Sequence, residues 1–251
     1  MMWAREPRAG DPAPGVLCLA ATVALLALGP VRSVDAANGR GRRAQEALRA
    51  AVVIRCGNGF GTGVLVGDGG LILTVNHVVR EAAPIRALLA GEPTVAAAVL
   101  ARDPKLDLAL LRLGGRLPDG RPGAPLGSVL AVSAGDELLS VGNPRDLNFT
   151  LRRGIASFVG RRFGAVRYLQ SDLPAEPGSS GSPIFDDSGR LVALISFIVR
   201  DGERLAFAIP VDYAVESFAA LRSIARLSLE ERMRFERWRR ELAEVPLGSL
   251  R

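Results

Sequence analysis

Apolar residues along this chain fall into short runs rather than long stripes: Ala51–Ile54, Thr62–Val66, Leu71–Val75, Leu106–Leu113, Glu137–Val141 and Leu191–Phe197. Runs of about four to eight residues, rich in β-branched and branched aliphatic side chains, suit strands better than helices. Turn-forming residues separate them: Gly67-Asp68-Gly69-Gly70, Pro118-Asp119-Gly120, Gly142-Asn143-Pro144 and Asp187-Ser188-Gly189. Many short strands at close spacing predict an antiparallel barrel or a sandwich. No internal repeat is evident.

From Val211 the period changes to that of helix, first through about Leu227 and then from Ser228. Ser228-Leu229-Glu230-Glu231 reads as a capping box, the Ser228 hydroxyl accepting from the Glu231 amide while the Glu231 carboxylate reaches back. Phe235, Trp238 and Leu242 then share one helix face, with Glu230–Arg234 and Glu236–Arg240 on the others. This predicts a terminal helix docked on the strands by its aromatic stripe; contact with a partner, or with a second copy of the chain as a homo-oligomer, is the alternative. Charges from Ser228 to Glu244 balance, which argues against a basic membrane-binding helix.

At the other end, Arg5 and Arg8 precede an apolar run from Val16 to Leu28, then Gly29, Pro30 and a small-residue stretch ending Val34-Asp35-Ala36-Ala37. That order is the order of a signal peptide, with cleavage after Ala36. The run is shorter than the roughly 20 residues that span a bilayer. The expectation is therefore export to the periplasm or secretion. The alternative is an uncleaved anchor that associates the protein with a membrane, facing its extracytoplasmic side. The domain reading is a signal peptide over 1–36, a basic Gly-rich linker over 37–49, a folded domain over 50–215 and a helical tail over 216–251.

Composition adds limits. With 251 residues and 48% of them hydrophobic, the chain can bury one core or two small adjoining ones, enough for one enzyme domain. The net charge of +6 does not point to nucleic acid, because basic residues are scattered among acidic ones instead of forming a stripe. Cys18 lies within the leader, so the mature chain keeps Cys56 alone and forms no internal disulfide; beside Ala51–Ile54, Cys56 reads as a small core residue.

Three short segments carry candidate chemistry. His77 is the only histidine, delivered by the apolar run Leu71–Val75 to a turn, where a general base can face a cleft while its backbone stays anchored. Asp107, set among Leu106, Leu108 and Leu110, reads as a carboxylate embedded in an apolar strand. Such a group needs a hydrogen-bond donor, and a histidine Nδ1–H is a suitable one. Asp103, beside Pro104, reads as a turn residue. In Glu176-Pro177-Gly178-Ser179-Ser180-Gly181-Ser182-Pro183-Ile184, Gly178 and Gly181 bracket Ser180, and glycines permit the close backbone approach that an exposed nucleophile and its amide donors require. Chain order separates the possible architectures. An α/β-hydrolase runs Ser, acid, His within Gly-x-Ser-x-Gly, yet here the only histidine comes first and position 182 is serine. A subtilisin-like enzyme places its acid before the histidine. The order His, Asp, Ser remains. One histidine and one mature cysteine supply no zinc set, and no phosphate-binding glycine loop is present, so neither metal nor cofactor is expected.

Seven segments in order, Thr62-Gly63-Val64-Leu65-Val66, Leu73-Thr74-Val75-Asn76-His77-Val78-Val79, Asp107-Leu108-Ala109-Leu110, Val141-Gly142-Asn143-Pro144, Gln170-Ser171-Asp172, Pro177-Gly178-Ser179-Ser180-Gly181-Ser182-Pro183 and Phe207-Ala208-Ile209-Pro210, resemble the landmarks of the HtrA/Deg group of trypsin-like serine proteases. The resemblance implies an all-β fold of two packed six-stranded antiparallel barrels of chymotrypsin type, followed by C-terminal helices. It implies a serine endopeptidase acting on protein or peptide substrates in envelope quality control or regulated proteolysis, with His77, Asp107 and Ser180 as triad and the amides of Gly178 and Ser180 as oxyanion hole. Ile195, Ser196 and Phe197 would edge the primary pocket and pair with substrate backbone; no acidic residue stands at the pocket positions, so small or medium aliphatic side chains are the expected preference. The chain departs from the family pattern in three places. Ser179 replaces the aspartate that pairs with a new N-terminus in digestive enzymes. Ser182 replaces a glycine. The roughly forty residues after Pro210 read as helix, where relatives of this group carry a PDZ domain, so that module is expected to be lacking. A protease-fold scaffold without catalysis is the alternative function.

Overall fold

The computed structural model describes residues 33–241 except 82, 118–120, 175, 202 and 226. The apolar run Val16–Leu28, Cys18, the 118–120 turn and Leu242 lie outside them. Twelve strands form the body: β1 (Ala51–Cys56), β2 (Gly59–Val66), β3 (Leu71–Val75), β4 (Ile85–Leu89), β5 (Val95–Asp103), β6 (Leu108–Leu113), β7 (Glu137–Gly142), β8 (Thr150–Phe163), β9 (Val166–Ser171), β10 (Pro183–Phe185), β11 (Leu191–Asp201) and β12 (Glu203–Pro210). They close into two antiparallel barrels, β1-β2-β3-β6-β5-β4 and β10-β11-β12-β9-β8-β7, shut by the pairings of β1 with β4 and of β7 with β10. The choice left open by the strand spacing is thus settled in favour of barrels.

The burial pattern follows the sequence pattern. All of β3 is buried, and β1 is buried except at Arg55. β5 alternates along its length, as a strand with one wet face does. The connection between the barrels runs along both, bridging Val66 to Ala124 and Leu126 to Leu191. Its short 3-10 turn at Val129–Ala131 is capped from a distance: the buried Asp212 carboxylate accepts from the Ser128 hydroxyl at 2.6 Å and the Val129 amide at 2.9 Å. Burial pushes the Asp212 carboxyl up, and these two donors oppose the rise.

Two helical expectations change. The linker expected over 37–49 lies within a helix, α1 (Ser33–Ala50). Gly39 and Gly41 each cost about 1 kcal/mol relative to alanine. Tertiary packing offsets them: Ala47 and Ala50 are buried, and the Arg43 stem covers Gly189 of the second barrel. The helix expected from Val211 through Leu227 breaks at Phe218 into α2 (Val211–Ser217) and α3 (Ala219–Ala225). Phe218 takes an extended conformation, φ −114° and ψ 112°, and buries its ring. The boundary expected after residue 215 therefore falls inside α2, whose Tyr213 and Val215 belong to the core. Among the described residues no helix is long and apolar enough to cross a membrane.

The last helix, α4 (Leu229–Arg240), starts on the expected capping box: Ser228 Oγ accepts from the Glu231 amide, and the Ser228 amide donates to Glu231 Oε2. Its aromatic face docks as the spacing predicts, Phe235 edge-on to Tyr213 at 5.1 Å and stacked with Trp238, over which the Arg167 guanidinium lies at 5.3 Å. Glu216 of α2 meets Glu236 of α4 across this seam, and Arg239 contacts both at 2.9 Å. Burial first, then the hydrogen bond and charge of Glu236 and the charge of Asp212, outweigh Arg239 and push the Glu216 carboxyl up to about 7. A raised acid is stabilising while protonated, so its contribution is complete below the ordinary value near 4.5 and is lost as the pH rises through about 7. Raising the pH from 5.5 to 8 should lower the melting temperature of the native protein more than that of Glu216→Gln, by about 2 °C or more; equal falls in a thermal scan would show that this seam does not titrate.

Candidate active site at the seam between the barrels

His77 sits in a 3-10 turn, Asn76–Val79, that follows β3 directly. The Asn76 amide donates to the Asp107 carbonyl at 2.9 Å and the His77 amide to Asp107 Oδ1 at 2.9 Å, so the turn is pinned at its first two residues. The His77 ring then places Nδ1 2.8 Å from Asp107 Oδ2. That leaves Nε2 as the ring nitrogen not facing the carboxylate.

Asp107 differs from its expected setting. It belongs not to a strand but to the turn before β6, in a left-handed conformation with φ 53° that aspartate tolerates better than most side chains. The conformation turns the carboxylate back toward His77 and leaves it 28% exposed instead of sealed among leucines. Asp103 shapes this turn as expected, accepting from the amides of Lys105 and Leu106, and its other oxygen accepts from the Ser217 hydroxyl at 2.7 Å. Burial works against the Asp107 charge, but the His77 ring, its charge, the Ser196 hydroxyl and the His77 amide together outweigh it and hold the carboxyl below its usual value. The nearby Tyr168 phenol is pushed up, by burial first and then by the Asp107 charge.

Ser196 is the contribution that sequence reasoning placed elsewhere. It is the extra residue of a β-bulge on β11, between the pairs Ile195–Ala208 and Phe197–Phe207. The bulge aims its hydroxyl out of the second barrel, and Ser196 Oγ donates to Asp107 Oδ2 at 2.9 Å. Of the three residues expected to edge the substrate pocket, Ile195 is buried and bonded through its backbone to Gly181 and Ser182, and Ser196 is committed to Asp107. Phe197 alone stays partly exposed, stacked on Phe207 at 5.1 Å and met edge-on by Phe163 and Tyr168. No spacing rule reveals a bulge, so the Ser196 contact had no signal in the sequence.

Ser180 lies in the turn between β9 and β10, and this turn is docked on the first barrel through its backbone. The Thr62 amide donates to the Ser180 carbonyl at 2.8 Å and the Thr62 hydroxyl to the Gly178 carbonyl at 3.0 Å. The glycines are necessary. Gly178 and Gly181 have φ of 94° and 80°, and a Cβ at either would collide with the carbonyl oxygen of Asn143 or of Thr62. A Cβ on Gly61 would meet Val78 on one side and the Ser180 carbonyl oxygen on the other, so the Ser180 backbone and the His77 turn flank the same point of β2. Among the described residues no hydrogen bond joins the Ser180 hydroxyl to His77, and the amides of Gly178 and Ser180 have no acceptor. Ser179 accepts from the Glu176 amide through its hydroxyl. Ser182 is buried with its hydroxyl against Gly142, where a larger neighbour would clash.

His77 and Asp107 of one barrel, braced by the Ser196 hydroxyl of the other, thus stand at the same seam as the glycine-bracketed Ser180 turn, in a fold of two six-stranded antiparallel barrels. Comparison with known proteins agrees. Residues 61–194 match the family described as "Trypsin-like peptidase domain". The chain is 33% identical over 175 residues to a "Probable periplasmic serine endoprotease DegP-like" of Pseudomonas fluorescens, covering 67% of this chain and 36% of that protein. It is 33% identical over 165 residues to a "Putative serine protease HhoA" of Synechocystis, covering 62% of this chain and 41% of that one. Among solved structures, an HtrA-type protease AlgW with tripeptide superposes with a TM-score of 0.66 at 27% identity, over 74% of this chain and 63% of that one. A serine endoprotease from Yersinia pestis gives a TM-score of 0.63 at 26% identity, over 74% and 66%. The chain belongs to the trypsin-like peptidase family and is homologous to HtrA/DegP-type serine endoproteases, though it spans only about a third of the length of the DegP-like relatives it matches.

Losing the Ser196 donor should weaken the fold where Asp107 is charged. Ser196→Ala is expected to cost about 1.5–3 kcal/mol in urea unfolding at pH 7. The native advantage should shrink as the pH falls through the ordinary Asp107 value of 3.8 and below, because a depressed acid stabilises only above its folded value. A penalty equal at pH 7 and pH 3 would mean that the hydroxyl does not bear on the charge.

Proposed function

We propose that this protein is a serine endopeptidase that cleaves protein or peptide substrates through an acyl-enzyme at Ser180. The observation that carries the reading is the shared Asp107 carboxylate, held at once by His77 of the first barrel and Ser196 of the second. With Nδ1–H donating to Asp107, the proton-accepting site of His77 is Nε2, as a general base for serine requires. Substrate entry brings Nε2 and the Ser180 hydroxyl into hydrogen-bond reach, since such contacts tighten in the bound complex. His77 takes the proton as Ser180 Oγ attacks the scissile carbonyl, and Asp107 stabilises the imidazolium. His77 then gives the proton to the leaving amine. The amides of Gly178 and Ser180 receive the developing oxyanion, at about 3 kcal/mol for each such donor. Water, activated by His77, hydrolyses the acyl-serine and restores the site.

The HtrA-type structures that superpose on this chain are described with a tripeptide and with a decapeptide, which supports a peptide substrate here. Phe197, backed by Phe207, Phe163 and Tyr168, presents an apolar face beside the site and suits small or medium aliphatic side chains at the cleaved position. The DegP-like relatives are named periplasmic. With the leader read over residues 1–36, that supports action outside the cytoplasm in quality control or regulated proteolysis.

The folded protein should react with a fluorophosphonate probe, and Ser180→Ala should abolish labelling. Asp107→Asn should retain the fold and lower kcat by about 10⁴-fold through the wrong His77 tautomer. Folded native protein that neither labels nor cleaves any member of a peptide library would instead identify a binding scaffold, and a library profile dominated by Arg or Lys at the cleaved position would overturn the aliphatic preference.

A further inference from the structure

The peptide joining Pro177 to Gly178 decides whether the Gly178 amide can face a substrate oxyanion, and its orientation is set from outside the turn. The Pro177 carbonyl accepts from the Arg145 amide at 2.9 Å. Carbonyl and N–H of a trans peptide point in opposite directions, so this bond turns the Gly178 N–H away from the 143–149 segment. Rotating the peptide would aim a carbonyl where an oxyanion must bind.

Arg145 makes that bond from a conformation it does not favour. Its φ is 50°, and Asp146 and Phe149 also have positive φ, so three non-glycine residues within five positions lie in the left-handed region. Something must hold the segment there. Arg145 reaches Glu176 at 3.1 Å, and Glu176 also meets Arg152 at 3.5 Å, but all three belong to the second barrel. The tie to the first barrel is Arg55, the single exposed position of β1, whose Nη2 donates to Asp146 Oδ1 at 2.6 Å. Asn143 donates to the same oxygen. Arg86 stands directly across from Arg55 on β4, and this like-charged neighbour adds to the pull of Arg55 toward a carboxylate. The Asp146 carboxyl is accordingly held below its usual value, chiefly by the Arg55 hydrogen bond.

We propose that the Arg55–Asp146 ion pair is a positioning element for the oxyanion hole, acting through the Arg145 amide and the Pro177 carbonyl to keep the Gly178 N–H turned toward the substrate. It rests on the reading of the chain as a Ser180 hydrolase. Neither residue touches substrate; each sets the conformation of one that orients the site. A consequence is that the alignment of the two barrels and the competence of the oxyanion hole are coupled, because the pair spans the seam.

The experiment uses Asp146→Asn, matched in shape to the native side chain and at ease at positive φ, and Arg55→Gln, which keeps a polar side chain but removes the guanidinium that reaches Asp146. Each is expected to lower kcat on a peptide substrate about 10-fold with KM within twofold, and to weaken a peptide boronate, which mimics the tetrahedral state, by a like factor. The exchanged pair Arg55→Asp with Asp146→Arg should recover at least half of the loss. Hydrogen exchange read over residues 143–149 and 176–180 should quicken in both single variants. Unchanged kcat, or a fall in kcat matched by a rise in KM with boronate affinity intact, overturns the proposal. Should the native protein fail to label with fluorophosphonate, the hydrolase reading fails by itself; exchange over 176–180 that is unaffected by Asp146→Asn then overturns the coupling as well.

Discussion

The structure depends on backbone meeting backbone with no room between. Where the 178–181 segment crosses from the second barrel onto the first, Gly178 lies against the Asn143 carbonyl and Gly181 against that of Thr62, closer than any β-carbon allows. Thr62 then grips the turn twice, by its amide and by its hydroxyl. Hydrogen bonds this deep gain little net energy over water, but their loss would strand buried groups at a cost of about 1–3 kcal/mol each. The seam is therefore specified by shape and by satisfaction of polar groups more than by hydrophobic area, and the placement of Ser180 beside the His77 turn follows from it.

The polar contacts across the seam divide into two kinds. Ser196 to Asp107 and Ser217 to Asp103 are short hydroxyl–carboxylate bonds in partly buried ground. The Arg55–Asp146 pair is half exposed, and an exposed pair contributes modestly to global stability. A modest energy is sufficient for choosing between two arrangements of a loop whose own conformational preferences are of similar size. In the proposed positioning role the exposed pair adjusts a loop, while the docking of the two barrels rests on enclosed backbone.

How much of this could be read from the chain varied with the range of the interaction involved. His77, the strand that delivers it and the Ser228 capping box are local patterns, and local chemistry decides them. The family resemblance supplied the two barrels, which periodicity alone could not separate from a sandwich. Asp107 was found as a residue but misplaced as an element, because its apolar neighbours imitate a strand while a positive φ, invisible in sequence, makes it a turn. The 37–49 segment read as linker from its glycines and charges, whereas burial of Ala47 and Ala50 against residues far away in sequence makes it helix. Phe218 interrupts a helical pattern for the same reason. Ser196 was read only for its backbone at a pocket edge, and the contact of its side chain with Asp107 went unread, since the inserted residue in β11 that changes which side a side chain points to leaves no mark in the sequence.

The strand order of the barrels carries a last implication. Counted from its own first strand, each barrel runs 1-2-3-6-5-4, so the two have the same connectivity although no repeat is visible in the residues. His77 lies between the third and fourth strands of its barrel, and Ser180 lies between the third and fourth strands of the other. His77 and Ser180 thus occupy corresponding connections of two halves that share one connectivity. Two halves of one connectivity therefore bring equivalent turns to a single seam, and the candidate site draws on both of those turns rather than on either barrel alone.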